Sequence, residues 1–224
     1  MSAVPHPPLT IAEEFLLLAL DDSAGQFYPL PRSTLDSSIA AAVLMDLTLL
    51  RRIDNDLRDM FVTDAQPTDN PILDPVLQIM SMAPVLTPRP IAAWLHDISN
   101  MGENLQEQAL RHLEALGILR REDKKILWMF GTRRYPIIDQ KEQREVKLRI
   151  LGVILRDDIP TPHDIMLVAL ANACGLFRHI LSDHELEAAA PRIEQVARMD
   201  LIGQAVAQAI AEIETVIAMA SGFR

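Results

Sequence analysis

A chain of 224 residues with 49% apolar but only 4% aromatic side chains fills its core with Leu, Ile, Val, Ala and Met, a palette that favours helices over sheets. The length suits one domain, or at most two closely fused ones, burying roughly 70% of the surface exposed by the unfolded chain. A net charge of −10 and a pI near 5.0 argue against a broad nucleic-acid surface, and the single Cys174 permits no intrachain disulfide, which fits a reducing compartment.

In chain order, Met1 to Pro8 reads as a disordered N-terminus without the basic and apolar regions of a signal peptide. Thr10 and Glu13 have capping-box spacing and open the apolar segment LTIAEEFLLLALDD, which ends in a turn with Gly25. Ser38 to Arg52 is helical by the spacing of Ile39, Val43, Leu44, Leu47 and Leu50, with a broad apolar face that predicts burial. A short extended piece is expected around Ile53 and Met60 to Val62. Asn70-Pro71 places a capping side chain before a first-turn proline, and Pro84, Pro88 and Pro90 break the chain before a short helix with Ile91, Trp94, Leu95 and Ile98. A further helix carries Leu105, Ala109, Leu113 and Leu116 and stops at Gly117.

The pattern then changes to strand, polar turn, strand: Ile118 to Arg121, Glu122 to Lys125, Ile126 to Phe130. Asp139 to Leu155 returns to helix, and three further helices are predicted, with caps at Thr161-Pro162 and at Ser182 with Glu185. The fold class that follows is mainly α, a compact single helical domain over residues 9–224 with a projecting β-hairpin. A membrane span needs about 20 mostly apolar residues; Ile165 to Phe177 is too short, and Leu201 to Ala220 is interrupted by Gln204, Gln208, Glu212 and Glu214.

The hairpin carries the main functional signal. Ile126, Leu127, Trp128, Met129 and Phe130 are consecutive apolar residues, so a strand there is apolar on both faces. Arg120, Arg121, Lys124, Lys125, Arg133 and Arg134 surround them, six of the chain's 21 basic residues. An apolar wedge with a basic rim suits an anionic membrane surface; the alternative is a strand packed internally or between subunits. Cys174 lies in LVALANACGLF and reads as a small buried hydrophobe. No metal site is expected: the acidic residues lack EF-hand spacing, and His163, His179 and His184 lack ligand spacing. No catalytic residues and no cofactor are predicted, since nucleophile elbow, Walker A and Rossmann patterns are all missing from the sequence.

Five pieces in order resemble the Golgi phosphoprotein 3 family: LTIAEEFLLLALDD; SIAAAVLMDLTLLRRI (Ser38 to Ile53); DAQPTDNPILDPVL (Asp64 to Leu77), similar to the family's Asp-Ala-x-Pro-Thr-Gly-Asp; WLHDIS with LRHLEALGILRRE; and ILWMFGTRRYPIID (Ile126 to Asp139). The resemblance implies a helical fold with an exposed hydrophobic hairpin, no enzymatic activity, and, as in eukaryotic members, phosphatidylinositol 4-phosphate binding and adaptor contacts with glycosyltransferase tails at the Golgi. In those members the headgroup pocket uses a Trp, an Arg and two basic residues. Alignment on the buried helix and on Gly117 puts Pro31, Ala40, Glu103 and Gln106 at those positions. Arg32, beside the missing Trp, and Arg51 and Arg52, at the helix end, are the cations left as headgroup candidates; for Arg51 and Arg52 the alternative is to offset the helix dipole.

The resulting reading is a non-enzymatic peripheral membrane or adaptor protein of bacterial type, cytoplasmic or on the cytoplasmic face of a membrane. Its partners are anionic phospholipid, a protein partner, and further copies of itself through the hairpin, with no nucleic acid. The alternatives are a winged-helix-like DNA-binding regulator and a purely structural oligomer. The first places Glu103, Glu107 and Glu114 beside Arg111 and His112 on its recognition helix, poor chemistry for a major groove.

Overall fold

The computed structural model describes residues 8–21, 25–56, 59–82, 89–123, 133–208 and 210–211; the side chains of Asp123 and Arg133 are outside that description. The expected disorder of Met1 to Pro7, the run Lys124 to Phe130 and the C-terminal part of the last predicted helix therefore lie outside the described residues.

The first described element is α1 (Ile11–Ala19), held by the predicted capping box: the Thr10 side chain accepts from the Glu13 amide, and Glu13 returns the bond. Every residue of α1 is buried, the glutamates Glu13 and Glu14 included. A bridge between Leu20 and Phe27 folds the chain back into α2 (Arg32–Leu49), whose Ile39 to Met45 are fully buried. This helix begins six residues before the predicted Ser38, directly after Pro31, which stands at the N-cap with extended backbone (φ −56°, ψ 143°).

The C-terminus of α2 is a Schellman motif. The Arg51 amide donates to Thr48 O (2.9 Å) and the Arg52 amide to Leu47 O (2.9 Å), with Arg51 left-handed at φ 55°. Glycine occupies such a position without the Cβ clash. Arg51→Gly is therefore expected to stabilise the fold by up to about 1 kcal/mol, read as a raised urea midpoint at constant m-value.

The expected extended piece is present as β1 (Ile53–Asn55) and β2 (Asp59–Val62), antiparallel with Ile53 opposite Val62. The loop from Asp64 is stitched by side chains: Thr68 N and Oγ1 donate to Asp74 Oδ1 (2.7 and 2.6 Å), and the Ile72 amide donates to the predicted cap Asn70 (2.8 Å). Asp69, where the resembled family motif has Gly, takes φ 60°. This loop leads to α3 (Asp74–Met82). The edge strand β3 (Arg89–Pro90) adds to β2. It then runs into α4 (Ile91–Ser99). Trp94 of α4 locks helix to sheet, donating from Nε1 to Met60 O (3.2 Å) beneath the Arg89 guanidinium, 4.6 Å from the ring centre.

Next comes α5 (Gly102–Ala115), ended by Gly117 at φ 74° as predicted. The hairpin is formed by β4 (Glu122–Asp123) and β5 (Arg133–Arg134). Its register differs from the expectation. Glu122, read as the turn, pairs as strand with Arg134 of β5, and a separate bridge joins Leu119 to Ile137 nearer the core; the expected strand Ile126 to Phe130 lies outside the described residues. Burial of Leu119 and Ile118, with the Ile138 amide donating to Ile118 O (2.9 Å), fixes this register from the core outward.

The remaining helices are α6 (Gln140–Leu155), α7 (Pro162–Ala173), α8 (Phe177–Ile180) and α9 (Asp183–Ala197), followed by helical residues 201–208. The predicted caps at Thr161 and Ser182 are both complete capping boxes. The fold is mainly α, with a continuous apolar core running from Leu9 to Ile210, into which Gln143 of α6 reaches to donate to the carbonyls of Leu17 (2.8 Å) and Leu20 (3.1 Å).

Candidate functional site

The turn after α1 and the base of the hairpin meet at Gly25. Its carbonyl accepts from the Tyr135 amide (2.7 Å), and Phe27 packs tilted on Tyr135 at 5.7 Å. Against this junction, α5 opens a cleft of about 170 Å³ lined by Phe27, Arg32, Glu103, Gln106, Leu110 and Tyr135. Two of the aligned headgroup positions, Glu103 and Gln106, thus face one cleft. A third, Ala40, is fully buried in the core, and Pro31 is exposed.

Arg32 supplies the cation on this wall, and it is already engaged. Nε and a terminal nitrogen bind Asp36 (3.0 and 2.9 Å), and NH1 donates to Gln106 (3.1 Å). Glu103 stands 3.9 Å away. Arg51 is exposed. Arg52 pairs with Asp64 and donates to Pro67 O (3.3 Å), which ties it to the loop before α3. These three arginines therefore do not converge: Arg32 is on the cleft, and Arg51 and Arg52 follow the far end of α2.

The described part of the hairpin rim is paired with acids. Arg120, exposed, binds Glu122 (2.5 Å), and Arg121 binds Glu107 of α5 (2.6 Å); Arg134 is half-buried. Lys124, Lys125, Leu127, Trp128, Met129 and Phe130 fall outside the described residues. Cys174 is buried as read, and burial pushes its thiol up to about 12. The histidines are dispersed: His179 stacks on Tyr28 (5.1 Å), His163 meets Glu14 (2.9 Å), and His184 is exposed. Among the described residues no group of three or more His, Cys, Asp or Glu is placed to hold a metal ion, and no helix is long and apolar enough to cross a membrane.

Sequence reasoning missed a buried ionic cluster at the start of α1. Asp46 of α2 accepts from the Ile11 (2.9 Å) and Ala12 (3.4 Å) amides. Glu13 bonds His112 of α5. Glu14 bonds Arg149 of α6 and His163 of α7, and Arg149 Nε reaches Asp164 (2.5 Å). The available signal was charge inside apolar runs: two glutamates in IAEEFLLLAL and one aspartate in AAAVLMDLTLL.

These features define a class, a mainly α protein whose hairpin base and α5 enclose a cleft beside a buried ionic cluster. The sequence profile of the Golgi phosphoprotein 3 (GPP34) family matches residues 11–213, and the chain belongs to that family. Over 171 residues it is also 27% identical to vacuolar protein sorting-associated protein 74 of Eremothecium gossypii, covering 67% of this chain and 50% of the relative. The chain thus spans about half the length of that curated relative.

Proposed function

We propose that this protein is a non-enzymatic peripheral adaptor, with residues 9–224 as one functional unit, that docks on anionic phospholipid at a membrane surface through its hairpin. The observation that carries the reading is the β4–β5 register. The antiparallel ladder brackets residues 124–132, and that bracketed sequence, KKILWMFGT, holds Lys124, Lys125 and the apolar run with Trp128 and Phe130. Each basic residue near an anionic surface contributes about 1 kcal/mol, and each large apolar side chain moved into the interface about 1.5–3 kcal/mol. The α5 cleft supports generic rather than headgroup-specific binding, since Glu103 repels phosphate and Arg32 is already bonded to Asp36 and Gln106. Self-association through the same hairpin and a protein partner at the membrane are part of the same reading, which places the protein on a cytoplasmic membrane face.

Liposome co-sedimentation tests it, with neutral vesicles, vesicles of generic anionic lipid, and vesicles with phosphatidylinositol 4-phosphate, each at low and high salt. Binding is expected to both anionic types, to weaken with salt, and to be lost in Trp128→Glu/Phe130→Glu. Unchanged binding by that double variant sinks the hairpin as the contact, and failure to bind any vesicle sinks the membrane reading. Selectivity for the phosphoinositide would show that the cleft recognises the headgroup after all.

A further inference from the structure

The charged residues around the first turn of α1 come from every helix packed on it. Asp46 faces it from α2, His112 from α5, Arg149 from α6, and His163 and Asp164 from α7, against Glu13 and Glu14 of α1 itself. The carboxylates are deep: Glu13 is 1% exposed, Asp164 3%, Asp46 6% and Glu14 7%. The basic side chains sit at the rim, with His112, His163 and Arg149 33%, 28% and 38% exposed, so protons reach the cluster from solvent.

Charge balance in this space depends on protons. With the His163 imidazole protonated and Asp46 neutral, the carboxylates of Glu14 and Asp164 face the cations Arg149 and His163, while Glu13 is hydrogen-bonded to His112. With those two protons gone, the carboxylates of Asp46, Glu14 and Asp164 face Arg149. Buried charge without a partner is costly. We propose that this cluster is a proton-operated latch that fastens α2, α5, α6 and α7 onto the first turn of α1 in mildly acidic conditions and loosens as the pH rises through neutrality.

Electrostatics support the geometry. Burial pushes the Asp46 carboxyl up to about 7, against the pull of the Ile11 and Ala12 amides. Burial pulls the His163 imidazole down, but the hydrogen bond and charge of Glu14 outweigh it and hold it above its ordinary value. Both groups keep protons in the folded protein that the unfolded chain releases. Their stabilisation is thus complete below the unfolded values and lost as pH climbs through the folded ones. Asp164 acts oppositely: burial raises it, but the Thr161 hydrogen bonds and Arg149 pull it below the carboxylate range, so its contribution fails only in strong acid.

The test is thermal unfolding of the full chain from pH 5.5 to 8.5, with NMR titration of the imidazoles. The wild-type Tm is expected to fall by about 5–10 °C between pH 6 and 8. Asp46→Asn, which keeps an acceptor for the α1 amides and never carries the charge, should raise the Tm at pH 6 and raise it further at pH 8, so that the slope flattens. His163→Gln should flatten the slope from the other side, by lowering the Tm at pH 6. A slope equal to wild type in both variants overturns the proposal. Should either variant fail to fold, the His163 titration in wild type decides. A midpoint above the ordinary histidine value of about 6.5 supports the latch, and one at or below it overturns it.

Discussion

Replacing Arg149 by Ala is expected to lower the Tm by about 5–15 °C at neutral pH, equivalent to about 2–4 kcal/mol. The guanidinium bridges two carboxylates on different helices, Glu14 of α1 and Asp164 of α7. Both acids are almost fully buried, with side chains 9% and 4% exposed. Removing a buried ion's partner costs more than the pair contributed, because the remaining charge keeps its desolvation penalty. Arg149 itself is 38% exposed, which lets water enter and keeps the loss to the lower part of the range. Arg149→Lys should recover only part of it, since an ammonium cannot hold both acids with the fixed fork of a guanidinium. A loss below about 0.5 kcal/mol for Arg149→Ala, measured by denaturant unfolding, would mean that this bridge does not organise the helices.

Gly25→Ala is expected to cost a similar amount, about 2–4 kcal/mol, with its effect centred on the hairpin base. Gly25 has φ 60°, where an L side chain is strained. A Cβ there would lie 2.8 Å from Pro136 N and 3.0 Å from both Pro136 Cα and the Tyr135 carbonyl carbon. All three contacts are backbone, so no rotamer change relieves them. The turn after α1 and the hairpin base would part at the bond from Tyr135 N to Gly25 O. The Tm drop should therefore come with faster amide exchange at Tyr135 than in α9. A variant with wild-type stability would show that the turn after α1 and the hairpin base are not in contact in solution.

What could be read from the sequence was what depends on near neighbours. The capping boxes at Thr10, Thr161 and Ser182 and the stop at Gly117 each act within one helical turn, so residue type and spacing specify them. The apolar rhythm of α2 predicted a buried helix, and the β-rich residues around Ile53 and Met60 to Val62 predicted a short extended unit. β3 was hidden because it is two residues long and reads as a proline break, and only pairing with β2 makes it a strand. Glu122 and Asp123 were read as turn because of their polar chemistry, whereas they pair as strand with Arg134 and Arg133, beyond a bridge between Leu119 and Ile137 nearer the core.

For the candidate site, the hairpin segment and Arg32 were legible as residues but not as an arrangement. That Arg32, Glu103 and Gln106 share one cleft while Arg51 and Arg52 lie elsewhere follows from how α2 lies against α5. The ionic cluster was less legible still. Glu13 satisfies its capping box locally, and nothing nearby shows that it also meets His112, 99 residues on, or that Glu14 meets Arg149 and His163 at separations of 135 and 149. By itself the sequence determined the helical class, the caps, the family likeness and the apolar, basic character of the hairpin, because local hydrogen bonds and hydrophobic periodicity are written in adjacent residues. Only the tertiary structure decided the hairpin register, which cations reach the cleft, and which acids are buried together. Those outcomes come from long-range burial, which sets both the pairing of distant segments and the cost of every charge left between them.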